Sequence, residues 1–278
     1  MDTLTIDYTD NNFHKNFVKS LQNTGFAVIK NHSISHELIE KVYIDWENFF
    51  KSDEKHEYLF DYEKQDGYFP FKSENAYNSK RKDLKEFYHI YPSWGRYPKS
   101  INGNTLKLFK QLFKFGNILL KSIDEYSPKH ISKNYSEPLS KMYVESKQNL
   151  MRVIHYPPIL DTDHPKEIRA NEHTDINLIT LLVSGSEPGL QVKDKNNNWV
   201  DIKSKKGQLV INIGDMLQEA SNGFFPSTKH RVINPKKNQN KSRFSIPLFL
   251  HPRSDVKLSK KYTAESYLLE RLKEIGLK

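Results

Sequence analysis

The chain contains no cysteine in 278 residues. That excludes a disulfide framework, thiolate metal sites and a cysteine nucleophile together, and it makes a reducing cytoplasm the expected compartment. No window approaches the roughly 20 apolar residues of a membrane-spanning helix. Met1 to Asp10 are acidic and polar, without the cationic stretch and apolar run of a secretory signal. Internal repeats and linker-like segments are also missing, so the halves of the chain are expected to pack as one unit.

A basic patch is a further absence. Lysine and arginine total 43 against 34 acidic residues, a net charge of +9. The lysines are spread along the whole chain among many asparagines, and the densest stretch, Lys236 to Arg243, falls in a predicted turn. Basic residues interleaved with aromatics on one face are not evident, so neither nucleic acid nor a membrane surface is the expected partner. The expectation is a small-molecule substrate and a monomer or weak homodimer.

What is present divides near residue 149. Residues 11 to 24 predict a helix with Phe13, Phe17 and Leu21 at four-residue steps, ended by Gly25. The strand Phe26-Ala27-Val28-Ile29 follows, and Ser35 is placed to cap a second helix bearing Leu38, Val42, Trp46 and Phe49 or Phe50. Residues 66 to 98 are aromatic and turn-rich with no sustained period. Leu106 to Ile123 gives the longest helical pattern, so the first half reads as mainly helical. Beyond it, short β-prone runs alternate with turns at 150–156, 176–183, 189–193, 199–202, 208–213, 228–233 and 243–250, and a helix from Ala264 to Ile275 closes the chain. Seven such runs predict an antiparallel barrel or jelly roll. The predicted division is 1–148, helical and close to the substrate, packed on a 149–278 core.

Chemistry-bearing residues lie in the second half. His173 and Asp175 share one face of an extended segment, and His230 begins a later strand. Two imidazoles and a carboxylate leave half of an octahedral metal open, as a non-haem iron(II) centre requires. Arg243 and Ser245 pair in the same way, and the guanidinium fork suits a carboxylate. Tyr156 offers a phenol to the same anion, while neighbouring His155 points to the opposite face. Each motif alone is weak evidence.

Their order along the chain is more specific. The segments Thr24-Gly25-Phe26-Ala27-Val28-Ile29-Lys30-Asn31-His32, Gly67-Tyr68, Glu74, Asp83-Leu84-Lys85-Glu86-Phe87, His155-Tyr156-Pro157-Pro158, His173-Thr174-Asp175, Gly189-Leu190-Gln191-Val192, Asn212-Ile213-Gly214-Asp215, Ser227-Thr228-Lys229-His230-Arg231-Val232 and Arg243-Phe244-Ser245 together resemble the isopenicillin N synthase-like iron(II) and 2-oxoglutarate-dependent oxygenases. The resemblance implies a double-stranded β-helix (jelly-roll) core with an N-terminal helical segment and a C-terminal helix. It implies iron(II) on His173, Asp175 and His230, and a cosubstrate 2-oxoglutarate whose far carboxylate meets Arg243, Ser245 and Tyr156. It gives Asp215 a structural role in a tight turn. With O2, the implied reaction oxidises a small molecule, most commonly by hydroxylation, and releases succinate and CO2. Halogenation is disfavoured because Asp175 keeps its carboxylate.

Two features depart from the family pattern. Ile154 stands where many plant members carry asparagine, and the turn before Arg243 is lengthened by Lys236 to Lys241. Substrate candidates are Arg152, Ile154, Tyr68, Phe71, Phe87, His89, Phe225 and Phe249. Two other readings of the same residues are an iron oxidase that uses no keto acid, and a non-enzymatic basic binding protein on the same scaffold. Succinate formation separates the first of these from the main expectation.

Overall fold

The structure is a computed structural model that describes residues 5–74, 82–164 and 166–274. Its strands are β1 (Thr5–Asp7), β2 (Phe26–Lys30), β3 (Gly67–Phe69), β4 (Glu86–Ile90), β5 (Leu150–Tyr156), β6 (Ala170–His173), β7 (Ile179–Val183), β8 (Leu190–Lys193), β9 (Trp199–Asp201), β10 (Leu209–Ile213), β11 (His230–Val232) and β12 (Arg243–Leu250). The helices are α1 (Phe13–Thr24), α2 (His36–Lys51), α3 (Asn104–Tyr126), the short α4 (Lys129–Ser132) and α5 (Leu139–Met142), α6 (Asp215–Ala220) and α7 (Ala264–Glu274). An eight-stranded sheet runs β1-β2-β10-β7-β12-β5-β4-β3, and a four-stranded sheet runs β6-β11-β8-β9. Together they make the jelly-roll core.

Side-chain alternation sorts the large sheet into two faces. Met151 and Val153 of β5, Leu181 of β7, Ile211 of β10 and Ile246 and Leu248 of β12 join the core shared with α1, α2 and α3. Ile154 and Tyr156 of β5, Val210 of β10, and Phe26 and Val28 of β2 point the other way, into the barrel with Leu190, Val192 and Val232 of the small sheet. The outer core is ring-rich: Trp46 of α2 is fully buried, and its indole nitrogen donates to Thr105 at 2.9 Å. Each such buried ring contributes about 1.5–3 kcal/mol through the apolar surface it removes from water.

Local signals decide the helix ends. Ser35 Oγ accepts from the Leu38 amide at 3.2 Å at the start of α2. Gly25 follows α1 at φ 73°, a left-handed conformation that glycine adopts without steric cost, and its N–H returns to the Leu21 carbonyl. The closing helix is described to Glu274, and Ile275, its expected end, lies outside the described residues.

The first half is less purely helical than expected, because β1 to β4 extend the large sheet. Two of these strands lie in the segment 66–98 that showed no period. All five residues of β4 are buried, so no polar-apolar alternation marks it, and β3 is only three residues long. β6 was also not anticipated: its four residues, Ala-Asn-Glu-His, serve polar contacts more than the core.

Candidate active site

β6 and β11 are antiparallel neighbours in which His230 stands opposite His173. Their rings lie 4.3 Å apart, centroid to centroid. Asp175 follows two residues beyond His173, and one ligand atom from each of His173, Asp175 and His230 lies within 4.8 Å of the others. Each imidazole is oriented by a carbonyl two residues back. His173 Nδ1 donates to the Asn171 carbonyl at 2.7 Å and His230 Nδ1 to the Thr228 carbonyl at 3.2 Å, which leaves both Nε2 lone pairs free. Asp175 is clamped through Oδ2, which accepts from Thr180 Oγ1 at 2.6 Å and Asn212 Nδ2 at 2.8 Å. Its Oδ1 is left toward His230 Nε2, at 3.7 Å.

Electrostatics keep His173 and Asp175 in ligand form. Burial, then the neighbouring His230, pushes the His173 imidazole down to about 4, so it is neutral near pH 7. Burial alone would raise the Asp175 carboxyl, but His230, His173 and the two clamping bonds outweigh it and hold it below the ordinary range. Two imidazoles and one carboxylate, with their other atoms already bonded, fit a divalent iron ion. Asp215 is structural as expected, though it opens the short helix α6 where only a tight turn was expected. Its carboxylate accepts from Thr174 Oγ1 at 3.1 Å and its amide donates to the Asp175 carbonyl at 2.7 Å. The preceding Gly214 admits no side chain, since a Cβ there would lie 2.1 Å from the Asn177 carbonyl oxygen.

The three candidate ligands open on a cavity of about 1120 Å³ that runs between the two sheets. At one end are Arg243, Ser245 and Tyr156, with Arg243 paired to Tyr156 across β12 and β5, and Ser245 to Ile154. Arg243 is 2% exposed, its Nε donates to the Glu187 carbonyl at 2.9 Å, and its buried Nη1 has no partner among the described residues. Arg243 lines the cavity, and a buried guanidinium nitrogen without a partner is an invitation to an anion. His155 turns away, toward Glu86 at 2.7 Å and Ser242 at 2.6 Å.

The other end takes its walls from β4, β5, β12 and α7. Arg152, His89 and Phe249 line it, together with Leu268, Arg271 and Leu272 of α7. The Arg152 guanidinium lies 4.4 Å from the Phe87 ring centroid and 5.6 Å from that of Phe249. His89 fixes its direction: Nδ1 donates to the Gln65 carbonyl at 2.7 Å, so Nε2 accepts from Arg152 Nε at 2.7 Å. Burial and the Arg152 charge push His89 well below its ordinary value and keep it neutral. Glu74, held far down by Lys85 and Arg152 against the effect of burial, balances part of this charge at 3.7 Å from Arg152.

Of the eight substrate candidates, Arg152, Ile154, His89 and Phe249 reach the cavity wall. Phe87 lies one layer behind, under Arg152. Tyr68 points into the outer core and donates its hydroxyl to Glu86, Phe225 is fully buried in that core, and Phe71 sits at the surface over Lys72. These three are placed away from the cavity because alternation in short strands and irregular segments was assigned without knowing which face turns inward. Asn212 and Thr180 were given no role, although a lone polar side chain in the apolar run Leu209–Ile213 was a usable signal. The walls supplied by α7 and Lys85 carried none.

Comparison with known proteins agrees with this geometry. Residues 147–252 match the family model of the 2OG-Fe(II) oxygenase superfamily, and residues 3–108 match that of the non-haem dioxygenase N-terminal region named for morphine synthesis. Gibberellin 2-beta-dioxygenase 3 of Arabidopsis thaliana is 30% identical over 277 residues, covering 91% of this chain and 76% of that one. A Shewanella oneidensis structure that carries only the general description of an oxygenase is 48% identical over the full length of both chains, with a TM-score of 0.90. A full-length Neurospora crassa protein solved in complex with α-ketoglutarate is 25% identical over 98% of this chain and 96% of its own, with a TM-score of 0.80. The chain therefore belongs to the 2OG-Fe(II) oxygenase superfamily. Its activity is that of a non-haem iron(II), 2-oxoglutarate-dependent dioxygenase, which oxidises a small molecule with O2 and releases succinate and CO2.

Proposed function

We propose that His173, Asp175 and His230 hold the iron, that Arg243, Ser245 and Tyr156 bind the far carboxylate of 2-oxoglutarate, and that the Arg152 end of the cavity receives the substrate for hydroxylation. The observation that carries this reading is the placement of three converging ligand atoms on the same cavity as the unpartnered Arg243 guanidinium nitrogen. Bound iron(II) supplies the redox chemistry that couples decarboxylation of the keto acid to oxidation of a substrate carbon. The protein's part is orientation. Asn171 and Thr228 aim the imidazoles, Thr180 and Asn212 leave one oxygen of Asp175 free, and the apolar walls from Leu182, Leu190 and Val232 keep water from the cosubstrate.

At the substrate end, Arg152 lies four residues along β5 from Tyr156, about 13 Å away at the rise of an extended strand. Its Nε is committed to His89 and its Nη1 lies 3.7 Å from Glu74, and the guanidinium lines the cavity beside the Phe249 ring. That pairing favours a flat small molecule with a hydrogen-bond acceptor or acid group. The Neurospora relative has been solved with thymine and with 5-formyluracil, both flat polar rings. We place the protein in a reducing cytoplasm, as a monomer or weak homodimer acting on a free metabolite and not on nucleic acid or a membrane. Among the described residues no helix is long and apolar enough to cross a membrane.

The test is a screen of flat, polar and acidic metabolites for substrate-stimulated succinate release, with an anaerobic titration of iron(II) and 2-oxoglutarate in parallel. The keto acid should give a weak visible charge-transfer band. Iron binding with neither band nor succinate would transfer the protein to the oxidases that use no keto acid.

A further inference from the structure

A second arginine stands behind the cosubstrate end. Arg169, which precedes β6, is 0% exposed and lies outside the cavity lining. Its guanidinium faces the Tyr156 ring at 6.0 Å from the centroid, and that of Arg243 faces the same ring at 5.1 Å. Among the described residues its only side-chain hydrogen bond goes from Nη2 to the Lys241 carbonyl, and its Nε is buried without a partner. Among the same residues neither arginine forms an ion pair with a carboxylate, and Glu187 gives Arg169 an attraction weaker than the opposing effects of burial and Arg243. Burial and then the Arg243 charge push Arg169 down to about 10, which still leaves it cationic near neutral pH.

Two buried cations around one tyrosine, with no carboxylate paired to them, make an unfavourable arrangement for the protein alone. Buried charges are ordinarily paired or ligated, and like charges in an interior repel over several ångströms. A ligand that brings a carboxylate to Arg243 relieves both. The lengthened turn before Arg243 supplies the seat, because Lys241 is its last residue and its carbonyl holds Arg169 in place. Asn234 at the other end of the turn accepts from the Arg169 amide at 3.0 Å and fixes the backbone.

We propose that Arg169 is a positioning residue that makes this end of the cavity select a keto acid with a second carboxylate. This rests on the assignment of that end to 2-oxoglutarate. Arg169 acts without touching the ligand, through its charge and through the ring of Tyr156, so it raises affinity for the dianion far more than for a keto acid of equal length that ends in a methyl group. A purely structural staple between β6 and the turn would not distinguish the two.

The experiment measures equilibrium binding of 2-oxoglutarate and of 2-oxopentanoate to the anaerobic iron(II) protein in four forms: wild type, Arg169→Gln, Arg169→Lys and Arg243→Ala. Glutamine keeps a donor for the Lys241 carbonyl without the charge, and lysine keeps the charge. Arg169→Gln should weaken 2-oxoglutarate by about tenfold and 2-oxopentanoate by less than about twofold, while Arg169→Lys stays within about threefold of wild type for both. Equal losses for the two keto acids, no loss for either, or failure of both Arg169 variants to fold would each overturn the proposal in favour of a staple or a bystander. Unchanged 2-oxoglutarate binding in Arg243→Ala would instead overturn the cosubstrate assignment, whereas a loss there without one in Arg169→Gln sinks this inference alone.

Discussion

At the end proposed to hold the metal, His173 and His230 each take their orientation from a carbonyl two residues away. At the end proposed for the substrate, Arg152 takes its orientation from His89, 63 residues distant, and His89 takes its own from Gln65. Both arrangements hold a charged or ligating side chain in one direction. The first is built from strand parity and short-range backbone contacts. The second is a relay across β4, β5 and the loop before β3, so it depends on more distant parts of the chain.

The largest effects should come from attacking the short-range end. Replacing His173 or Asp175 with alanine removes one of three ligands, and both iron binding and succinate formation should fall to background, read as iron stoichiometry and succinate yield. A variant that keeps both would remove the centre from this cavity. Next is Arg243→Ala, which leaves the keto acid's far carboxylate unpaired in a buried site. That costs about 3 kcal/mol, roughly a hundredfold in 2-oxoglutarate affinity, and an unchanged dissociation constant would refute the assignment. Smaller again is Asn212→Ala. It frees Asp175 Oδ2 from one of its two clamping bonds, and loss of such a supporting contact weakens metal affinity by about tenfold to a hundredfold.

The same contrast governs what could be read before the structure. The candidate metal and cosubstrate residues were legible because their order along the chain resembles one family; two-residue spacing adds only that His173 shares a face with Asp175, and Arg243 with Ser245. Tyr156 and Arg152 followed the same parity on β5. The helices were legible too: Gly25 and Ser35 mark ends that depend on local backbone chemistry. What escaped was set by partners far away in the chain. β4 is buried on both faces, so its pattern is uniform, and its role as the strand carrying His89 exists only through pairing with β5. Tyr68 and Phe225 look like substrate-facing aromatics in sequence, and only the packing of α2 and α6 decides that they belong to the core. The closing helix, read as Ala264 to Ile275, gave no indication that Leu268, Arg271 and Leu272 of α7 line the cavity.

Breaking the relay itself should sharpen the comparison. Arg152→Ala removes the cation proposed to face the substrate and leaves His173, Asp175 and His230 untouched. Substrate KM should rise by about tenfold, the worth of one charge-assisted hydrogen bond, with 2-oxoglutarate affinity unchanged. A change in keto acid affinity of similar size would mean that the two ends are not separable in the way their contacts suggest.

The smallest effect tests the far end of the relay. Asp66 is buried and holds Arg96, accepting from its backbone N–H at 2.8 Å and from its guanidinium at 2.9 Å, which pins the loop whose Gln65 carbonyl orients His89. Burial alone would raise the Asp66 carboxyl, and the Arg96 bonds outweigh it, so the carboxyl sits below its ordinary range. A carboxyl depressed in the folded state adds stability above its unfolded value, near about 4, and that contribution disappears as pH falls through the folded value. Asp66→Asn should therefore be less stable than wild type by about 1–2 kcal/mol at pH 7, with the gap closing in acid. Urea unfolding at neutral and acid pH reads this, and a gap of equal size at both would show that Asp66 contributes by shape and not by charge. Because the loop also steers His89, the variant should raise substrate KM by about twofold to threefold and leave 2-oxoglutarate affinity alone, the response of a lesion that reaches Arg152 only through two intervening contacts.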